Sequence, residues 1–193
     1  VQSIIKLKKS GRLVYASFGN VAASGGYYIG LYADRIITNS ATLTGSVGVV
    51  SSFKSYEKLQ QELGISHDSL KTGKYMGLFS SNQDLTSDEV KLLGQYQDYY
   101  YDKFLYAVID HRGLTPKESL EIAQGQIITG KQAVSLKMVD EEGSFLDTVH
   151  LLSEKLDIEH PEIVYFRERS KFSLPFGNLK IASRLFSMKK FLF

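Results

Sequence analysis

Two runs without a charged side chain constrain this sequence most: Leu13 to Ala33, 21 residues, and Ile36 to Phe53. The first is long enough to raise a membrane span. Its content argues otherwise. Gly19, Gly25, Gly26 and Gly30 interrupt it, as do Ser17, Asn20 and Ser24, and halfway along it changes from strand-like Leu-Val-Tyr-Ala-Ser-Phe to small residues. The second run is rich in Ser and Thr and broken by Gly45 and Gly48. A strand covered on both faces reads as continuous uncharged sequence, so both runs predict buried strands and tight turns of an α/β core. With 193 residues the chain is about one ordinary domain and can bury such a core without staples.

Composition narrows the function classes. Apolar residues at 43% and charged residues at 23% are ordinary globular values and exclude a disordered, coiled-coil or collagenous chain. The absence of cysteine removes disulfide frameworks, cysteine-ligated zinc and thiol catalysis, and leaves the redox compartment open. With 23 basic against 21 acidic residues the net charge of +2 gives no bulk attraction to nucleic acid. The charge is unevenly placed, however. After Glu168 there are six basic residues and no acidic one, interleaved with Leu179, Ile181, Leu185, Phe186, Phe191 and Phe193. The sequence therefore divides into a body, 1–168, and a basic apolar tail, 169–193, suited to an anionic membrane surface or to a neighbouring subunit's apolar groove. No signal peptide is visible at the start. A chain beginning at Val1 reads as a processed chain or a fragment.

Along the body, Val1–Lys9 reads as the end of an amphipathic helix stopped by Ser10-Gly11. Leu13–Phe18, Arg35–Thr38, Thr42–Val50, Ile65–Lys71 and Ile163–Phe166 read as strands, and Ala22–Ala33 contains a helix entered near Ser24. Lys54–Leu63 predicts a helix with Gly64 behind it. Thr86-Ser87-Asp88-Glu89 is a capping box opening a long helix with Val90, Leu93, Tyr96, Tyr100, Phe104 and Ala107 or Val108 on one stripe, ended by Gly113. Thr115-Pro116-Lys117-Glu118 opens another, with further helices at Lys131–Leu136 and Leu146–Lys155. The order predicts parallel strands joined by right-handed crossover helices, followed by a helical C-terminal part.

One segment carries chemistry. In Val21-Ala22-Ala23-Ser24-Gly25-Gly26-Tyr27-Tyr28 a serine sits at a strand-to-helix transition among small residues. Small neighbours let a substrate approach closely, and free N–H groups at a helix start suit a developing oxyanion. Read locally, an ordinary tight turn with Ser24 as helix cap explains the pattern at least as well. A nucleophilic serine needs a base, and His67, His111, His150 and His160 have no motif around them. Lys71 and Lys74 are the alternatives by position, since a buried lysine can be brought down in pKa far enough to act.

In this context the chain resembles the signal peptide peptidase A family, also called protease IV: Ser–Lys serine proteases with a ClpP/crotonase-like fold. The resemblance rests on Val21 to Tyr28, Ala33-Asp34-Arg35-Ile36, Thr42-Leu43-Thr44-Gly45-Ser46-Val47-Gly48-Val49, Lys71-Thr72-Gly73-Lys74-Tyr75 and Val139-Asp140-Glu141, and covers roughly residues 1–168. It implies that Ser24 is the nucleophile, that the Gly25 N–H is one oxyanion donor, and that the Ser46 hydroxyl holds the amine of the base. The family's base follows the tyrosine of a Lys-x-Gly-x-Tyr-Lys pattern; here that position is Met76. The second oxyanion donor of the family comes from a Ser-Pro-Gly-Gly turn that this sequence does not contain.

The resemblance thus implies a membrane-associated serine endopeptidase at the bacterial cell membrane, its catalytic part outside the cytoplasm. It would cleave apolar peptides such as released signal peptides, inactive as written because a thioether takes no proton. It also implies a ring-like homo-oligomer, which offers a subunit contact for Tyr99 and Tyr101, the neighbours of Tyr100 on the core stripe. No cofactor, metal or nucleic-acid partner is expected. The alternatives are a catalytically dead scaffold, one lobe of a composite peptidase site with a lysine supplied from elsewhere, and, with least support, an acyl-CoA-binding crotonase relative.

Overall fold

Parallel pairing organises the molecule. A computed structural model describes residues 1–166, so the basic tail and the expectations attached to it lie outside the described residues. In chain order the elements are α1 (Gln2–Lys9), β1 (Tyr15–Phe18), β2 (Val21–Ala23), α2 (Gly25–Gly30), β3 (Arg35–Thr38), β4 (Leu43–Gly45), α3 (Glu57–Glu62), α4 (Ser87–Arg112), α5 (Pro116–Ile122), β5 (Ile127–Thr129), α6 (Gly130–Ser135), β6 (Glu141–Glu142) and α7 (Phe145–Leu156). One sheet has the order β1-β3-β6, all parallel. The other has the order β2-β4-β5, with β2 and β4 parallel and β5 antiparallel to β4. Parallel neighbours cannot be joined by a tight hairpin, so the intervening helix α2 carries the chain across. The α/β class with parallel strands, followed by a mainly helical half, is as the sequence predicts. Val1–Glu159 closes on itself as one unit, and the described residues 160–166 are not part of it.

The core sits where α2 and α4 cover the strands. Tyr27 of α2 is wholly buried, with Phe18 edge-on at 6.3 Å and Phe104 at 6.4 Å between ring centres. A buried phenol needs an acceptor, and Tyr27 donates to the Met138 carbonyl at 2.8 Å. Burial also pushes its pKa up, so it stays a neutral donor. The stripe foreseen along α4 is buried only over its second half. Phe104, Ala107 and Val108 enter the core, whereas Val90, Tyr96 and Tyr100 are exposed. The far end of α4 is pinned by Arg112, which reaches both Asp140 oxygens and donates to the Lys137 carbonyl at 2.8 Å. Asp140 in turn accepts from the Ile36 N–H at 2.6 Å, tying the helix to β3.

Three strand expectations are corrected. Thr42–Val50 yields only β4, because Ser46 turns the chain at φ 52°. Ile65–Lys71 forms no strand: the segment is exposed throughout and belongs to no ladder. Ile163–Phe166 likewise has no ladder among the described residues. Alternating apolar residues define a strand only when a neighbouring strand takes up their backbone groups. Conversely, Val21–Ala23 is a strand that the turn signal at Gly19-Asn20 concealed.

Candidate active site

The register of β2 on β4 builds the site. Ala23 lies opposite Gly45, so the next residues, Ser24 and Ser46, leave the ladder side by side at the carboxyl ends of two parallel strands. Open α/β sheets bind ligands at such ends. The Ser24 N–H donates to the Gly45 carbonyl at 2.9 Å and the Ser46 N–H to the Gln126 carbonyl at 2.8 Å. Both serines take positive φ, Ser24 at φ 50° and ψ −116°, Ser46 at φ 52°. A non-glycine residue held there costs about 1–3 kcal/mol and persists only where its surroundings impose it, a habit of functional turns. For Ser24 the geometry is that of a sharp strand-to-helix turn, the arrangement that lifts a serine hydroxyl clear of its neighbours.

Both serines face a cleft of about 900 Å³. Gly25, the first residue of α2, lines it too. Its N–H has no intrahelical acceptor by position, and a Cβ added to it would meet nothing within 4 Å. The opposite wall is α4 together with Ala123, Gln124 and Gly125. Tyr28 stands one turn beyond Ser24 and meets Phe104 edge-on at 5.2 Å, which fixes α4 against the helix that carries the serine. The Gly125 N–H donates to the Val47 carbonyl at 3.0 Å, and a Cβ on Gly48 would come within 3.2 Å of the Gly125 Cα, so the rim is closed by two backbones in contact.

The structure therefore brings Ser24, Gly25 and Ser46 to one cleft. Met76 stands elsewhere: it is 70% exposed, in a series of turns before α4, and does not line the cleft. Lys74 forms an ion pair with Asp88, and that carboxylate raises its pKa, the opposite of what a base needs. The Lys71 amine donates to the Gln83 side chain. Nor do the histidines line the cleft. His111 packs on Tyr32 at 4.4 Å, and His150 faces Glu154 at 3.3 Å. The residue the sequence reading missed is Lys103, a cleft residue on α4. Its signal was available. Tyr96, Tyr100, Lys103 and Ala107 share one helical face, so a cation interrupts a stripe otherwise free of charge.

Comparison with known proteins follows this geometry. The profile of peptidase family S49 matches residues 6–159. Protease 4 of Haemophilus influenzae is 34% identical over 155 residues, covering 77% of this chain and 24% of that protein. Serine protease SPPA, chloroplastic, of Arabidopsis thaliana is 32% identical over 155 residues, covering 80% and 23%. The chain spans about half the length, or less, of the curated relatives it matches. Among solved structures, an enoyl-CoA hydratase/isomerase from Marinobacter aquaeolei superposes with a TM-score of 0.43 at 14% identity, covering 81% of this chain and 42% of that one. At that score and identity the likeness says nothing of substrate. The family match and the parallel-stranded architecture agree with a ClpP/crotonase-like fold.

Proposed function

The chain belongs to peptidase family S49, and from that premise we propose that it forms the serine-bearing part of an endopeptidase that cleaves extended apolar peptides, such as released signal peptides, through an acyl-enzyme on Ser24. The observation that carries the reading is the strained turn that points Ser24 into the cleft beside Ser46. Ser24 Oγ attacks the scissile carbonyl, and the developing oxyanion meets the Gly25 N–H. The leaving amine takes a proton as the acyl-enzyme forms, and water then releases the acid. The hydroxyl proton needs a base at each attack, and a thioether at position 76 supplies none, so we propose that the chain as written is close to inactive. Removing the base of a serine protease costs on the order of a million-fold in turnover. By the same family reading the protein works at the bacterial membrane, outside the cytoplasm, as a homo-oligomer. No described helix is long and apolar enough to cross a membrane.

A second reading has its own observation. Met76 is exposed away from the cleft and Lys74 is tied to Asp88, which favours a composite site in which a lysine of another half or subunit completes the chemistry. Labelling with a fluorophosphonate separates the possibilities on the parent, Met76→Lys, and Met76→Lys with Ser24→Ala. If position 76 carries the base, which requires its exposed segment to reach Ser24, the parent barely reacts, the Met76→Lys form reacts and the double variant is silent; a Met76→Lys form that stays silent means that residue 76 does not reach the cleft. A parent that reacts as fast as Met76→Lys supports the composite site. Peptide binding with no labelling in any form leaves the dead scaffold.

A further inference from the structure

Of the fourteen residues that line the cleft, Lys103 alone carries a formal charge. Its place is set by packing. The adjacent Phe104 is buried and meets Tyr28 edge-on at 5.2 Å, and the Tyr28 N–H donates to the Ser24 carbonyl at 2.9 Å. The helix bearing Lys103 is thus fixed to the helix turn that bears the proposed nucleophile. Its ammonium lies 4.8 Å from the centre of the Tyr99 ring. Such a contact orients an amine over the ring without neutralising it. Lys8 is paired with Asp34, Arg35 with Glu141, Lys74 with Asp88 and Arg112 with Asp140, and none of these lines the cleft. Lys103 makes no ion pair among the described residues. Contact with Tyr99 raises its pKa, which keeps it a cation near neutrality and unsuits it as a base.

Resting on the peptidase reading, we propose that Lys103 is a specificity-determining residue whose ammonium selects peptides presenting a carboxylate to the cleft, either an Asp or Glu side chain or the peptide's own C-terminus. The rest of the lining is aromatic, small or uncharged, so it takes up apolar segments without distinguishing acidic from neutral ones. A single unpaired cation beside it supplies that distinction, because a neutral or basic peptide leaves the ammonium without a partner while an acidic one pairs with it.

With methionine at position 76 the parent protein suits equilibrium binding, since on the proposed reading bound peptide is not consumed. Fluorescence anisotropy is measured with three labelled apolar peptides of equal length: one with an internal Glu and an amidated end, one with Gln in its place and an amidated end, and one with Gln and a free C-terminal carboxylate. At low salt the parent is expected to bind at least one carboxylate peptide about three- to tenfold tighter than the neutral one, a range set by partly exposed ion pairs. Which of the two gains identifies the source of the carboxylate. Lys103→Gln is expected to abolish the preference, Lys103→Arg to keep it, and added salt to shrink it. Equal affinity for all three peptides overturns the role of Lys103 while leaving the peptidase reading standing. So does a preference that survives Lys103→Gln. If no peptide binds, and fluorophosphonate labels no form, both fail.

Discussion

Gly25 and Gly30 are the first and last residues of α2, yet a methyl group at each has opposite consequences. At Gly25, a residue that lines the cleft, a Cβ meets nothing within 4 Å. Gly25→Ala is expected to leave unfolding in urea unchanged or slightly improved, since alanine orders a helix at less entropic cost by about 0.5–1 kcal/mol. In the Met76→Lys form the same change should slow fluorophosphonate labelling of Ser24 by about tenfold or more, because a small displacement of the reacting groups is enough. Unchanged labelling would show that Gly25 does not border the path of attack. At Gly30 a Cβ lies 2.5 Å from the Phe18 ring. Gly30→Ala should therefore cost about 1–3 kcal/mol by overpacking. The strand-to-helix turn at Ser24 was legible in the sequence because small residues surround it, whereas the role proposed for Ser24 came from the family resemblance. Lys103 was passed over although a cation interrupts the stripe there, because that stripe announces burial, and only the structure shows that Tyr100 and Lys103 line a cleft while the adjacent Phe104 is buried.

The elements best read from sequence are those closed by local hydrogen bonds. Thr86 with Glu89 and Thr115 with Glu118 form complete capping boxes, each hydroxyl accepting from the N–H three residues on and each carboxylate accepting from the cap N–H. Thr129 with Gln132, whose acceptor is an amide oxygen, and Ser144 with Asp147 do the same, and there the sequence reading found the helices without their boxes. Strands fared worse, since what decides β2 and β5, or denies a strand to Ile65–Lys71, is a partner far along the chain. The two kinds of bond should also differ in mutational cost. Thr86→Ala removes one cap from a long helix that packing otherwise holds, and is expected to cost about 1 kcal/mol. Gly130→Ala places a Cβ against the backbone carbonyl of Asn39, at the point where the Gly130 N–H donates to Thr42 at 2.8 Å. That carbonyl belongs to the loop between β3 and β4 and has no rotamer in which to move aside. Gly130→Ala should exceed the Thr86→Ala loss severalfold in urea midpoint, at the upper end of overpacking costs, about 3 kcal/mol. Equal losses would mean that the approach of α6 to this loop is softer than its geometry.

The unit that closes on itself, Val1–Glu159, nearly coincides with the stretch matched by the family, 6–159, so its stability is the condition for any activity, and acid should act on it in two stages. His111 comes first. Burial against Tyr32 lowers its pKa below the ordinary 6.5, helped by Lys8 and Arg112 and opposed by Asp110. A depressed folded value means that the fold prefers the neutral ring. Its contribution is complete above the unfolded value and is lost as pH falls through the folded one. The carboxylates of the capping boxes come second. Thr86 holds Glu89 down, Thr115 holds Glu118 down and Ser144 holds Asp147 down, each by hydroxyl and backbone hydrogen bonds to the charged form. Their stabilisation is present above the ordinary 4.5 for glutamate and 3.8 for aspartate, and it disappears as pH drops through the lowered values. Urea midpoints measured from about pH 8 to pH 3 should accordingly fall in a shallow step below the histidine range and a steeper one below the carboxylate range. His111→Gln should erase the first step and leave the second. A combined Glu89→Gln, Glu118→Gln variant should flatten the second, because an amide keeps the acceptor without the charge. A midpoint that stays level through the histidine range, or a first step that survives His111→Gln, would mean that the ring titrates in the fold as it does in the open chain and that its contact with Tyr32 is not what resists acid.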